Sequence, residues 1–351
     1  MNQTENRKDE HVNISLEKNV SAEHNYWDDI KLIHNALPEI NKNDVDLSTT
    51  VFNKKLGAPL IIASMTGGYN KAKKINENLA FAAEKYQIGM GVGSQRAALE
   101  NNDLIETYSV VKNYDIPLRF ANIGASQLVL WGHKKTLENA QKMIDMIDAH
   151  IFIVCLNFLQ EVVQFEGEAN AKGCFEAIEK LADNLDTPVI VKESGAGISY
   201  DVAKKLAATK IAGIDVGGLG GTSFAAIEHY RSEMVDDKLH ARGGKTFWNW
   251  GIPTPTSILE VGDATNWELA IIATGGIRNG LDAAKSLVLG ASCAGIAHTL
   301  LKPATIDEKS TVSEVEAITK ELRAAMFLVG CDEVSTMKDV DWTITGADLW
   351  M

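Results

Sequence analysis

Eight short, almost continuously apolar runs recur along this chain from residue 59 onward, and most are followed by a stretch with helical periodicity. The runs are 59–64 (PLIIAS), 89–93 (GMGVG), 118–123 (LRFANI), 151–157 (IFIVCLN), 188–192 (PVIVK), 213–216 (GIDV), 270–273 (AIIA) and 293–297 (CAGIA). Helix-periodic stretches at 75–86, 102–113, 136–148, 171–185, 199–208, 253–261 and 279–289 lie between them. Strands apolar on both faces belong in a parallel sheet covered by helices. Eight is the number that closes such a sheet into a barrel. The pattern therefore predicts an α/β fold, a (β/α)8 or TIM barrel over 58–351, with a polar, Asn-rich arm at 1–57 that packs on it and does not fold alone. A long excursion after the sixth strand, 222–252, is expected to be a lid or binding loop. Residues 312–329 make a C-terminal helix, and the tail to Met351 is expected to be a loop.

Composition narrows the function. The 351 residues carry a formal charge of −13, which argues against nucleic-acid binding or a basic membrane-surface role, since both need an extended cationic footprint. An anionic substrate must then find a local basic pocket. Four cysteines, Cys155, Cys174, Cys293 and Cys331, show neither a CxxC pair nor metal-ligand spacing and suggest reduced thiols in a cytoplasmic protein. No apolar run approaches the roughly 18 residues of a spanning helix, and the polar N-terminus does not resemble a signal peptide.

The polar and glycine motifs cluster at strand exits: Ser64 to Gly68, Gly93 to Arg96, Asn122 to Gly124, Asn157 to Glu161, Lys192 to Ser194, Gly217 to Thr222, and Thr274 to Arg278. Every strand thus feeds one face, the active face of a barrel. At Thr274-Gly275-Gly276-Ile277-Arg278 a glycine turn opens a helix capped by Asn279, an arrangement suited to a phosphate. Lys192 follows a buried run, where its charge suits either an electron-rich ring whose anionic form needs a counter-charge or an ion pair with Glu193. Asn157, Gln160 and Glu161 form a carboxylate-amide set that fits Mg2+ shared with a phosphate oxygen. Arg96 is placed as an anion ligand. Glu228 either points back over the mouth or is a surface acid. Arg7, Lys8 and His11, interspersed with Asp9 and Glu10, taken alone form a solvated charge cluster.

The segments RKDEH (7–11), SMTGG (64–68), GVGSQR (91–96), ANIGA (121–125), LNFLQE (156–161), VKESGAGIS (191–199), GIDVGGLGGTSF (213–224), WGIPT (250–254) and ATGGIRNGLDAAKSLVLGA (273–291) together resemble the type 2 isopentenyl-diphosphate isomerases, FMN-dependent (β/α)8 barrels. The resemblance implies interconversion of isopentenyl and dimethylallyl diphosphate, with FMN and Mg2+ as cofactors, NADPH as reductant, and a homo-oligomer, tetramer or octamer. It implies that Ser64, Met65, Thr66, Ser94, Asn122, Lys192 and Thr222 hold the flavin, and that Gly275, Gly276, Ile277, Arg278, Ala297 and His298 cradle its phosphate. Arg7, Lys8, His11, Ser94, Gln95, Arg96, Asn157 and Gln160 would surround the substrate, Glu161 would carry Mg2+, and the arm at 1–11 would order over the mouth on binding. Reduced FMN is expected to be the acid-base and electrostatic catalyst through a ring nitrogen, with Gln160 and Glu228, beside Asn157 and His11, as the protein groups near the proton transfers. The chain departs from the usual family pattern at Cys155, where histidine is common, at Phe158 and Phe165, where proline is common, and at Phe224, a frequent tryptophan.

Overall fold

The computed structural model describes residues 3–345; the last part of the tail, 346–351, lies outside them, as do residues 1 and 2 of the arm. Eight parallel strands close a barrel in sequential order: β1 (Leu60–Ile62), β2 (Gly89–Gly91), β3 (Arg119–Gly124), β4 (Ile151–Cys155), β5 (Val189–Lys192), β6 (Gly213–Asp215), β7 (Ala270–Thr274) and β8 (Cys293–Ile296), with β8 pairing back to β1. Each coincides with one of the eight apolar runs. Among the described residues no helix is long and apolar enough to cross a membrane.

Strand side chains alternate, and both faces are buried. Ile61, Phe120, Ile151, Ile153, Ile190, Ile272 and Cys293 point into the barrel and form one inner cluster. Leu60, Ile62, Ala121, Phe152, Val154, Val189, Val191, Ile271 and Ala273 point outward into the larger cluster under the helices. Each fully buried aliphatic side chain in these layers stabilises the fold by roughly 1.5–3 kcal/mol. The hairpin Thr49–Val51 and Lys54–Leu56 closes the bottom, where Phe52 meets Phe120 edge to face. Extending the inward set by two residues in β3 to β7 gives Asn122, Cys155, Lys192, Asp215 and Thr274. Polar groups therefore form the uppermost inner layer, and the alternation that builds the core also floors the mouth.

Six helices bear on the site: α1 (Gln3–Glu17), α2 (Phe158–Val163), α3 (Phe224–Met234), α4 (Lys238–Thr246), α5 (Gly280–Val288) and α6 (His298–Ile306). The excursion after β6, expected as a loop, is mostly the helices α3 and α4. Ser223 caps α3 through Ala226 N and Asp237 caps α4 through His240 N, start signals hidden in a stretch rich in charged and aromatic residues. The stretch 102–113 breaks into three short helical segments, Asn102–Leu104, Glu106–Ser109 and Val110–Asn113. There Asn101 accepts from Asp103 N, and local side-chain bonding displaces a regular helix. The tail is also more ordered than expected: Trp342–Ile344 pairs antiparallel with Ile30–Leu32 of the arm.

Candidate active site

A cavity of about 510 Å3 opens at the C-terminal ends of the strands. Lys192 and Arg278 both line it, so these two cations, expected at the flavin ring and its phosphate, share one rim. Ser64, Met65, Thr222, Gly275, Gly276, Ile277, Ala297, His298 and, from above, His11 line it as well.

The floor is set by strand register. Lys192 stands opposite Asp215 on β6 and Cys155 on β4. Its ammonium is buried, 3.1 Å from Asp215 Oδ2, and donates to the backbone carbonyl of Glu193 at 2.9 Å. The ion pair considered with Glu193 is thus made with Asp215. The Glu193 carboxylate accepts instead from the N–H groups of Ser194 and Ala196, and burial pushes it up to about 7. Cys155 Sγ lies 2.9 Å from Ser194 Oγ. Burial raises this thiol to about 11 in spite of the neighbouring lysine, so a neutral thiol occupies the position where the family commonly has an imidazole.

Beside the floor, two glycine turns interlock. Gly275 has φ +123° and Gly276 φ +75°, conformations that L side chains rarely adopt. A Cβ on Gly221 would come 2.5 Å from Gly276 N. The arm holds this turn from behind: Asn25 Nδ2 donates to Gly276 O at 2.8 Å and Trp27 Nε1 to Gly275 O at 2.9 Å. The start of α5 is already occupied, because Asn279 caps it and Glu321 accepts from Gly280 N at 2.8 Å. Arg278 turns away from the turn to Asp282 (2.8 Å) and Asp28 (2.5 Å). By contrast, α6 begins with no side-chain cap, and Ala297, His298 and Thr299 of its first turn line the cavity. The positive helix end that faces the cavity is therefore that of α6, one element later than the sequence suggested.

The roof is α1, a helix that apolar periodicity does not announce, because its contacts are chiefly polar. Lys8 donates to Gly67 O (2.9 Å), Ser94 O (2.6 Å) and Tyr108 Oη (2.8 Å). Burial, with Arg7 nearby, pulls this ammonium down to about 7. His11 Nε2 lies 2.8 Å from Glu228 Oε1, and Ser15 O is 3.0 Å from His298 Nε2. Glu228 is fully buried and also accepts from Gln160 (3.2 Å) and Arg231 (2.6 Å). Burial would raise its carboxyl, but His11 and Arg231 outweigh burial and hold it below its ordinary value. Glu228 is therefore no surface acid.

Other predicted residues are distributed less evenly. Asn157 donates to Glu161 Oε1 at 2.9 Å, while Glu161 Oε2 accepts from Glu168 N at 2.7 Å. Among the described residues no three His, Cys, Asp or Glu side chains gather as a metal cage. Arg96 bridges Glu100 and Glu168, each at 2.7 Å. With the Gln164 amide turned so that its nitrogen faces Glu228, its oxygen accepts from Arg7 at 2.9 Å. Gln95, expected as a substrate ligand, makes its side-chain hydrogen bonds behind the strand. It is fully buried, donates to Met143 O (2.9 Å) and accepts from Asn122 N (3.1 Å), fastening β3 to the helix behind it. Asp215 and Arg231 escaped the sequence reading, although an acid inside GIDV and an arginine three residues after Glu228 were visible signals.

The chain belongs to the FMN-dependent dehydrogenase family, whose model matches residues 156–343. Within that class it belongs to the isopentenyl-diphosphate delta-isomerases of the FMN-dependent type. The isopentenyl-diphosphate delta-isomerase of Thermoplasma volcanium is 47% identical over 335 residues, covering 95% of each chain. That of Methanosarcina mazei is 42% identical over 350 residues, covering 99% of this chain and 93% of its own. A solved mandelate oxidase, in complex with (S)-2-phenylpropionate, superposes with TM-score 0.64 at 16% identity, covering 92% of this chain and 89% of its own. That likeness speaks for the barrel alone.

The residues present fit a flavin nucleotide. Ser64 Oγ, Thr66 Oγ1, Asn122 Oδ1 and Thr274 Oγ1 are buried without a hydrogen-bond partner. Four such atoms at the exits of β1, β3 and β7 are what a polar ring system and its ribityl chain require. The glycine turns and the uncapped start of α6 suit its phosphate.

Proposed function

We propose that this chain interconverts isopentenyl diphosphate and dimethylallyl diphosphate by a 1,3-allylic proton shift, with FMN between the Lys192 floor and the α1 roof. When bound and reduced, FMN supplies an electron-rich ring that offsets positive charge developing on the alkene and offers a ring nitrogen for proton exchange. Ser64, Asn122 and Thr274 orient the ring, Lys192 supplies its counter-charge, and Gly275 to Ile277 with Ala297 and His298 hold its phosphate. The observation that carries the reading is Glu228, a fully buried carboxylate held between Gln160 and His11, which itself lines the cavity. Only Oε1 touches these two, so one oxygen is available to hold or release a proton at the mouth while α1 excludes water. Gln160 orients it. Glu161, with Asn157 beside it, carries Mg2+ against the diphosphate, and Arg7, Lys8 and Arg96 supply the cationic surroundings. NADPH serves as reductant, and the enzyme works as a cytoplasmic homo-oligomer.

The test is an anaerobic assay with FMN, NADPH, Mg2+ and labelled isopentenyl diphosphate. Label appears in dimethylallyl diphosphate without stoichiometric NADPH loss, and Glu228→Gln slows turnover by at least about a hundredfold, within the range general acid-base catalysis supplies. Steady NADPH consumption with no isomer formed would make the chain an oxidoreductase instead.

A further inference from the structure

Arg231 lies one turn beyond Glu228 on α3 and is only 3% exposed. Each of three guanidinium nitrogens meets a different acid: Nη1 to Glu228 Oε2 at 2.6 Å, Nη2 to Glu166 Oε1 at 2.6 Å, and Nε to Glu10 Oε2 at 2.9 Å. Glu166 comes from the loop after α2, and Glu10 from α1. The face of the fork is covered by Phe165, 4.8 Å to the ring centroid, so this departure from the usual proline has a contact that proline could not make. Three carboxylates around one buried cation leave negative charge in excess, and Glu166 Oε2 is itself buried without a partner. Such an arrangement is a poor device for stability alone. It is well shaped for fixing one carboxylate, because the rigid fork dictates both direction and charge.

The two oxygens of Glu228 are divided accordingly. Oε2 belongs to Arg231, and Oε1 is turned toward His11 and Gln160. From this division we infer that Arg231 is the positioning residue of the reaction: it clamps Oε2 of Glu228, keeps the carboxylate negative, and thereby leaves Oε1 as the oxygen that exchanges protons at the mouth. The inference rests on the proposed role of Glu228. The same guanidinium seats α1 through Glu10, so closing the roof and orienting the acid use one cation. The titratable and charged groups facing Glu228 are His11 from α1 and Arg231 from its own helix, with Glu10 and Glu166 beyond the guanidinium. Gln164 follows α2; with its amide nitrogen turned to Glu228 at 3.2 Å, its oxygen meets Arg7. On the far side, α4 meets α3 through the neutral Ala241 and Gly244.

The experiment uses full-length, FMN-loaded protein with Arg231→Lys, Arg231→Met and the triple variant Arg231→Met/Glu10→Gln/Glu166→Gln, which removes the leftover acids should Arg231→Met not fold. Isotope-edited infrared spectra, referenced to Glu228→Gln, report whether the Glu228 carboxyl is protonated. In the parent it is ionised from pH 6 to 8. In the triple variant its titration moves upward by about one to three pH units, the range an adjacent arginine commands, and the acid limb of kcat/KM moves with it while KM changes little. Arg231→Lys restores the charge without the fork, returning the titration but not the full kcat. A Glu228 titration that does not move in the triple variant, with an unmoved acid limb, overturns the inference. Full turnover by Glu228→Gln overturns the functional reading beneath it, and the infrared titration tells the two failures apart.

Discussion

Replacing Lys192 tests the floor of the site, but a single substitution confounds two effects. Lys192→Met leaves Asp215, only 4% exposed, without its cation. Breaking a buried pair from one side costs about 3–5 kcal/mol, enough to lower flavin content through instability alone. The informative variant is Lys192→Met/Asp215→Asn. It removes both charges, and the amide oxygen can still accept from Gly217 N, 3.3 Å from Asp215 Oδ1 in the parent. Neutralising both members of a buried pair is often close to neutral for stability, so the apoprotein unfolds near the parent's temperature. What the double variant lacks is the ammonium toward the flavin. A hydrogen bond to a charged group contributes about 1.5–3 kcal/mol, and each 1.4 kcal/mol is about tenfold in affinity. FMN binding to the apoprotein, followed by quenching of flavin fluorescence, therefore weakens roughly ten- to a hundredfold. A double variant that folds like the parent and binds FMN equally tightly refutes the assignment of Lys192 to the cofactor.

Three further outcomes follow from particular contacts. Gln95→Ala leaves Met143 O and Asn122 N without their partner, so unfolding free energy drops by about 1–3 kcal/mol in denaturant titrations, while KM for the diphosphate stays within twofold; a large KM change would restore Gln95 to the substrate site. Gly221→Ala places a methyl against Gly276 N and is expected to abolish FMN retention on gel filtration with the barrel's circular dichroism intact. Glu193 titrates near 7 in the folded chain against an ordinary value of 4.5, so between those values the folded protein holds the extra proton. Its contribution is full below pH 4.5 and is lost as pH rises to 7. Glu193→Gln should thus gain stability relative to the parent between pH 5 and pH 8; an equal difference at both ends would exclude this titration.

The barrel and its floor were legible in the sequence for one reason, and the roof was obscure for the same reason. Alternation along a buried strand is a local rule: once Ile190 is inside, Lys192 is inside too, and the glycine turns after β6 and β7 follow directly from the strands they end. Nothing so local governs α1. Its position depends on Lys8 finding two backbone carbonyls and a phenol, on His11 meeting Glu228 more than two hundred residues away, and on Glu10 sharing Arg231 with two other acids. A segment held by such polar, long-range partners leaves no hydrophobic period to detect. The same contrast explains Gln95 and Arg96. Adjacent in a motif expected to bind an anion, they part because Gln95 satisfies buried backbone groups behind β3, whereas Arg96 is half-buried between two carboxylates. A motif identifies residues that are kept together, but burial decides which of them face the ligand. On the proposed function the floor holds the flavin and Glu228, joined to the roof through His11, serves the proton transfer, so variants of the floor should act first on FMN retention, and variants of Glu228 and its partners on turnover and its pH dependence.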